Sequence, residues 1–302
     1  MKKILVTFIV FSSLSSCSQK EKDNFWQSKD AYFGLKQPNE NPEIFAPDML
    51  IDSGIVLGTV SFSADGKAFY YTRAKGWFES EGSKTLQKVY KNGKWLKPSV
   101  LFDNVVNPTL SPNNKKMYFG GSGSKVRVSE NLSGKWSKPS VLHEKTYGLY
   151  NWYATNNPTV FYVASNALQG SKNDYGTYDF CEMMVTPKDT IIKSLGNPLN
   201  TPGFDGDFYV APDESFMIIS TKETPTYESE LWVSFRKKDK TWADPQSLGD
   251  AINGGAAHRF GQYVTPDGKF LIYTKGTSGK DCNFYWVRID QTLERLKAQA
   301  NL

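Results

Sequence analysis

Ser61-Phe-Ser-Ala-Asp-Gly-Lys-Ala-Phe-Tyr-Tyr71 joins a polar turn signal to an aromatic strand, and the chain returns to this phrase four more times. The other copies are Thr109-Leu-Ser-Pro-Asn-Asn-Lys-Lys-Met-Tyr-Phe119, Trp152-Tyr-Ala-Thr-Asn-Asn-Pro-Thr-Val-Phe-Tyr162, Tyr209-Val-Ala-Pro-Asp-Glu-Ser-Phe-Met-Ile-Ile219 and Tyr263-Val-Thr-Pro-Asp-Gly-Lys-Phe-Leu-Ile-Tyr273. Their first residues stand 48, 43, 57 and 54 positions apart, a period that belongs to solenoids, propellers or arrays. Asp65-Gly66 and Asp267-Gly268 predict two-residue hairpins, because glycine takes positive φ without a Cβ clash. Asn113-Asn114 and Asn156-Asn157 serve the same purpose less well. Pro112, Pro212 and Pro266 fall just before the turn, where no ladder donor is lost. Phe62, Leu110, Tyr153, Val210 and Val264 align as one buried face.

A second phrase, Trp-x-x-Pro, follows three of the copies: Lys94-Trp-Leu-Lys-Pro98, Lys135-Trp-Ser-Lys-Pro139 and Lys240-Thr-Trp-Ala-Asp-Pro245. An aromatic strand carrying proline suits a sheet edge, where the missing N–H faces water. Asp189-Thr-Ile-Ile-Lys-Ser-Leu195 fills that slot after the third copy. One more strand lies between the two phrases, as in Leu86–Tyr90 and Glu230–Phe235, which makes four strands per unit, the make-up of a propeller blade. After the fifth copy the outer strand is missing, and the chain runs through Phe284–Ile289 into a helical tail, 291–300. Glu43-Ile-Phe-Ala-Pro47 fits the missing strand, with Ile44 in the tryptophan place. The expected fold is therefore all-β: a propeller of five four-stranded blades, with six as the alternative, its ring closed by an N-terminal strand in the last blade. Closure removes the open edges that seed aggregation.

Thr265-Pro-Asp-Gly-Lys269 and Ser63-Ala-Asp-Gly-Lys67 resemble the bacterial WD40-like, TolB-type propeller repeat, an apolar strand, Ser-Pro-Asp-Gly-Lys and an aromatic strand. Ser111-Pro-Asn-Asn-Lys115 and Ala211-Pro-Asp-Glu-Ser215 match it loosely, and the third copy is degenerate. The resemblance spans roughly residues 30 to 300. It implies a propeller and leaves the activity open, because such repeats serve binding and scaffolding more often than chemistry.

Residues 1–17 read as a leader. Lys2 and Lys3 precede an apolar run from Ile4 to Leu14, too short to span a membrane. Leu14-Ser-Ser-Cys17 resembles a bacterial lipoprotein cleavage box, which makes Cys17 the lipidation site and implies a lipid-anchored protein of the cell envelope, on the outer membrane and facing either the periplasm or the outside. Polar residues 18–30 are expected to form a flexible tether and 31–302 a single propeller domain. Cys181 and Cys282 fall in blades three and five, which are not neighbours, so both are expected as unpaired thiols. The net charge is +5 over 302 residues with both signs interleaved, which gives no reason to expect nucleic acid.

In a four-stranded propeller the loops between blades share a face with those joining the two middle strands, and the Asp-Gly turns lie opposite. The loop-rich face gathers aromatic rings beside carboxylates, which suits a peptide or sugar. Its ligand-binding candidates are Trp77, Glu79, Tyr150, Trp152, Asp174, Tyr175, Asp205, Asp207, His258 and Arg259. Aligned inner strands put Thr59, Asn107, Tyr150, Asp207 and Gly261 at one level of the channel, only one of them acidic, and Asp205 is expected to point elsewhere. Glycosidase chemistry needs two converging carboxylates, and two histidines are little material for a metal site or a Ser-His-Asp triad. His258-Arg259 has the chemistry to hold an anion. The expectation is a monomeric propeller that binds a protein, peptide or glycan without catalysis, cofactor or metal. The alternatives are a carbohydrate-active enzyme pairing Asp207 with Glu79 or Asp174, and a scaffold subunit of an envelope complex.

Overall fold

The computed structural model describes residues 24–50, 53–77, 81–121, 123–168, 174–300 and 302. The leader, Cys17, Glu79 and the first part of the expected tether lie outside them. Each copy of the opening phrase forms the first hairpin of an antiparallel sheet, and five such sheets make five blades.

Blade one runs from the inner strand Ile55–Phe62 through Ala68–Ala74 to Lys84–Lys91; blade two from Pro108–Leu110 through Lys116–Phe119 to Lys125–Leu132. In both, the proline of Trp-x-x-Pro cuts the outer strand in two. Lys94–Trp95 pairs with one end of the third strand and Ser99–Asp103 with the other, and Lys135–Trp136 and Ser140–Glu144 repeat the arrangement. Proline has no N–H to give the ladder, so the strand breaks there and resumes beyond it. Blades three and four begin with Leu149–Ala154 and Phe208–Val210 and end with Thr190–Ser194 and Gln246–Ser247. Blade five takes His258–Val264, Phe270–Ser278 and Asp281–Arg288 from the C-terminal part of the chain and Glu43–Ile44 from the N-terminal part. Glu43 pairs with Trp286 and Ile44 with Tyr285, the closure expected from the sequence. The tail is helical over Asp290–Gln299.

The turns between the first two strands hold four residues rather than two. Ser63 N donates to Ala68 O and Gly66 N to Ser63 O, both at 2.8 Å, so each loop is a type I turn ending in a left-handed residue. That residue is Gly66, Asn114, Glu214 or Gly268, each with φ between 57° and 75°. Asp65 Oδ1 braces its loop by accepting from Ser63 Oγ at 2.6 Å and Lys67 N at 3.1 Å. Thr155 N bonds Val160 O across the third loop, so Tyr153, not Trp152, takes the first place of the third copy. Pro158 stands where the other loops need positive φ, which its ring forbids, and that is why the copy reads as degenerate.

The described part of the tether is built into the fold as far as residue 24. Trp26 is buried, its Nε1 donates to Ala64 O at 2.9 Å, and its ring meets Tyr32 and Phe62. A large apolar ring in a polar stretch outweighs the stretch's composition, because burying it is worth about 2–3 kcal/mol. Asp30 accepts from Tyr90 OH in blade one, and Tyr32 OH donates to Asp267 in blade five at 2.6 Å. This segment thus clasps the seam between the first and last blades on the turn side.

The five inner strands meet at the axis in a ring of hydrogen bonds. Asn107 Oδ1 accepts from Thr59 N at 3.3 Å, Asn107 Nδ2 reaches Asn151 Oδ1 at 3.4 Å, and Asn151 Nδ2 donates to Asp207 Oδ1 at 3.0 Å. Gln262 Nε2 then donates to Asp207 O at 3.2 Å. The ring closes where Gly261 lies on the backbone of Gly58. Four residues at this level, Gly58, Asn107, Asn151 and Gly261, have φ between 46° and 66°, a region that favours glycine and asparagine. A Cβ on Gly261 would stand 2.3 Å from the Gly58 carbonyl carbon. Gly261→Ala is therefore expected to destabilise the protein by at least about 2 kcal/mol, from left-handed strain together with overpacking. A urea midpoint unchanged from the parent protein would contradict it.

Candidate functional site

On the loop-rich side of this ring a cavity of about 580 Å³ opens to solvent. Tyr150 and Asp207 form its floor. Trp77 arrives from the loop after the second strand of blade one, Glu223 and Tyr227 from the matching loop of blade four, Phe204 from the loop before blade four, and His258 and Phe260 from the start of blade five. Both loop classes expected at the mouth contribute.

Local packing fixes the walls. Trp77 N donates to Gly279 O at 3.1 Å and its indole N–H points at Cys282 Sγ. Its ring stands edge-on to His258 at 5.0 Å and to Tyr227 at 6.0 Å, and His258 stacks on Phe260 at 4.3 Å. Across the cavity Tyr150 meets Phe204 at 5.5 Å. Below the floor the axis is filled. Tyr153 OH of blade three reaches Thr59 of blade one and Gln262 of blade five, and Tyr263 OH of blade five accepts from Phe62 N of blade one.

Two carboxylates line the cavity. Asp207 accepts from Asn151 at 3.0 Å and Tyr150 OH at 3.4 Å. Burial nevertheless pushes its pKa up to about 6, a shift those bonds only moderate. Burial, aided by the charge of Asp207, pushes Glu223 up to about 7. His258 Nε2 lies 3.8 Å from Glu223 Oε2, and burial holds the imidazole down to about 4. Near neutral pH this pair is therefore not a salt bridge, since the imidazole is uncharged and Glu223 is only partly ionised. Both His258 nitrogens lie buried without a hydrogen-bond partner.

Several expected residues belong elsewhere. Trp152 packs between blades two and three against Tyr118, Phe161 and His143, because the Asn151 bulge and the shifted third copy turn it away from the mouth. Arg259 is 1 % exposed and serves the fold. Its guanidinium donates to five backbone carbonyls, those of Ile252, Ser229, Ala257, Gly254 and Gly255, at 2.6–3.1 Å. With His258 uncharged and Arg259 spent on carbonyls, the pair has no free cation for an anion. Asp205 is buried and points elsewhere as expected, accepting from Thr201 N and Oγ1, and burial pushes it up to about 7. Asp174 is exposed and is not among the cavity-lining residues; it braces the short 3-10 turn Tyr175–Thr177, whose Gly176 reaches the rim. In the axial column Asn151 replaces Tyr150. Glu223 was missed because its loop carries Glu223 and Glu228 alike, and only burial separates them.

No family model matches the chain, and no curated protein matches it in sequence. Solved structures similar to it include TolB from Acinetobacter baumannii, 12% identical with a TM-score of 0.47, covering 77% of this chain and 54% of that one. A putative TolB from Agrobacterium tumefaciens is 13% identical with a TM-score of 0.48 and covers 78% of each chain. A periplasmic gluconolactonase from Pseudomonas aeruginosa is 10% identical with a TM-score of 0.42, covering 72% of this chain and 65% of that one. This chain thus spans about half the length of the Acinetobacter protein. The likeness is one of propeller architecture, with TolB-type propellers among the neighbours. Among the described residues no helix is long and apolar enough to cross a membrane, and no group of three or more His, Cys, Asp or Glu is placed to hold a metal.

The raised pKa of Glu223 has a consequence for stability. Its carboxyl moves from 4.5 to about 7 on folding, so between those values the folded protein keeps a proton that the unfolded chain has released. Its contribution is most favourable below about 4.5 and is lost as pH rises through about 7. Glu223→Gln is expected to gain stability over the parent protein as pH rises across that window, with no gain below it. Urea titrations at a series of pH values would show a constant difference if this were wrong.

Proposed function

We propose that the protein is an envelope propeller, held on a membrane by lipid at Cys17, that binds a small ligand or the end of a peptide or glycan in the mouth without catalysis. One observation carries the binding reading: an open, aromatic-walled cavity of about 580 Å³ holds three polar side chains, Asp207, Glu223 and His258, and His258 leaves both ring nitrogens without a hydrogen-bond partner. The size is that of ordinary small-molecule sites, about 300–1,000 Å³, in which flat rings supply contact area and a few polar groups set orientation. The filled axis below makes this a dead-end pocket rather than a channel. A mouth-directed ligand is expected to quench or shift the fluorescence of Trp77 and to raise the melting temperature, with both effects lost in Trp77→Leu. A panel of short glycans and peptides that changes neither signal would overturn the reading. Acyl label incorporated in a bacterial host, and lost in Cys17→Ala, would test the anchor.

Glycan-active chemistry is favoured by one specific finding. The aligned channel column offered a single acid, whereas Glu223 joins Asp207 in the same cavity and stays partly protonated near neutrality. An acid of that pKa beside an ionised carboxylate is what general acid catalysis of glycoside cleavage requires. Turnover of any glycan by the purified protein, abolished in both Asp207→Asn and Glu223→Gln, would replace binding with catalysis. Ligand binding without product over long incubation would exclude it.

A further inference from the structure

We propose that the mouth selects a compact organic ammonium ion, with Asp207 and Glu223 as counter-charges and Trp77 and Tyr227 as walls. This rests on the mouth-binding reading above and names its ligand class.

The charge pattern around the cavity is one-sided. Two carboxylates line it, and none of the described lining residues is lysine or arginine. Two nearby cations among the described residues are engaged elsewhere. The Arg259 guanidinium is spent on five backbone carbonyls. Lys222, next to Glu223 in the chain, pairs with Glu230 at 3.2 Å and sits 4.3 Å above the Trp232 ring. Two acids held out of water with no lysine or arginine among the described lining residues repel each other, and a cationic ligand relieves that repulsion where a neutral sugar cannot.

His258 points to the same ligand independently. Its side chain is 10% exposed, lines the cavity, and leaves both ring nitrogens without a hydrogen-bond partner. A buried polar group without a partner is costly, and an uncharged imidazole offers one acceptor nitrogen. A primary ammonium has three donors. Asp207, Glu223 and His258 supply three acceptors around one cavity. The rings complete the match, because a cation over an aromatic face gains most when both are shielded from water. Anions meet two like charges and, among the described lining residues, no lysine or arginine.

A matched trio on one ring tests this: cyclohexylammonium, cyclohexanol and cyclohexanecarboxylate, titrated calorimetrically into the full chain above neutral pH. The ammonium is expected to bind at least about tenfold tighter than the alcohol, because it alone pairs with the two carboxylates, and the carboxylate not at all. Glu223→Gln, whose side chain makes no hydrogen bond within the fold, is expected to remove most of that preference with no loss of melting temperature. Trp77→Leu is expected to weaken the ammonium while leaving the rank order. If the alcohol or carboxylate binds as tightly as the ammonium, or if Glu223→Gln keeps the preference, the ammonium assignment falls while mouth binding stands. If no member of the trio binds, the assignment also falls, and the glycan and peptide panel decides mouth binding on its own.

Discussion

The axial ring of amides joins the five blades at their inner strands. Five inner strands cannot converge on one axis as flat ribbons, so four of them turn through left-handed backbone at Gly58, Asn107, Asn151 and Gly261. Glycine and asparagine tolerate that region at little cost. The side chains released there, Asn107 and Asn151, tie each blade to the next and end on Asp207. One device therefore sets the blade spacing, seals the axis and holds the carboxylate that forms the floor of the cavity. Where the ring lacks a side chain, at Gly261 against Gly58, first and last blades touch through their backbones.

That contact is also the seam at which the chain's two ends meet, and it is reinforced on the turn side. Glu43–Ile44 adds the outer strand of blade five, and Phe45 lies between Phe33, Phe69 and Trp286. Trp26 and Asp30 hold blade one, and Tyr32 reaches blade five as well. Ring contacts of this kind add about 0.5–1.5 kcal/mol each beyond area burial, which is why aromatic residues are concentrated here. Keeping closure on the turn side leaves the opposite face free for loops whose sequences need not serve the ring.

The fold was legible in the sequence because repeats impose the same local rules five times. Blade count, strand count, the closing strand and the C-terminal helix could all be read from spacing and turn chemistry. The errors came where one copy breaks the rule. Pro158 hides the turn signal of the third copy, so the copy reads one residue out of step, and because strand side chains alternate between faces, that slip put Trp152 at the mouth and Tyr150 in place of Asn151 on the axis, whereas Tyr150 does reach the mouth as expected. Loop length misled in a smaller way, since Asp-Gly pairs occur in four-residue turns as well as in two-residue hairpins.

The order of residues was enough to give an all-β propeller closed by its N-terminal strand, the face that carries the loops, and the presence of Asp207 and Trp77 on that face. Periodicity and turn residues act locally, so they survive in a linear reading. Which charged residues remain available there depends on the folded chain. It buried Arg259 among backbone carbonyls, turned Asp205 toward Thr201, and brought Glu223 and His258 into the same cavity from different blades. Burial and proximity across the ring set those pKa values and pairings, and neither leaves a trace in the order of residues along the chain.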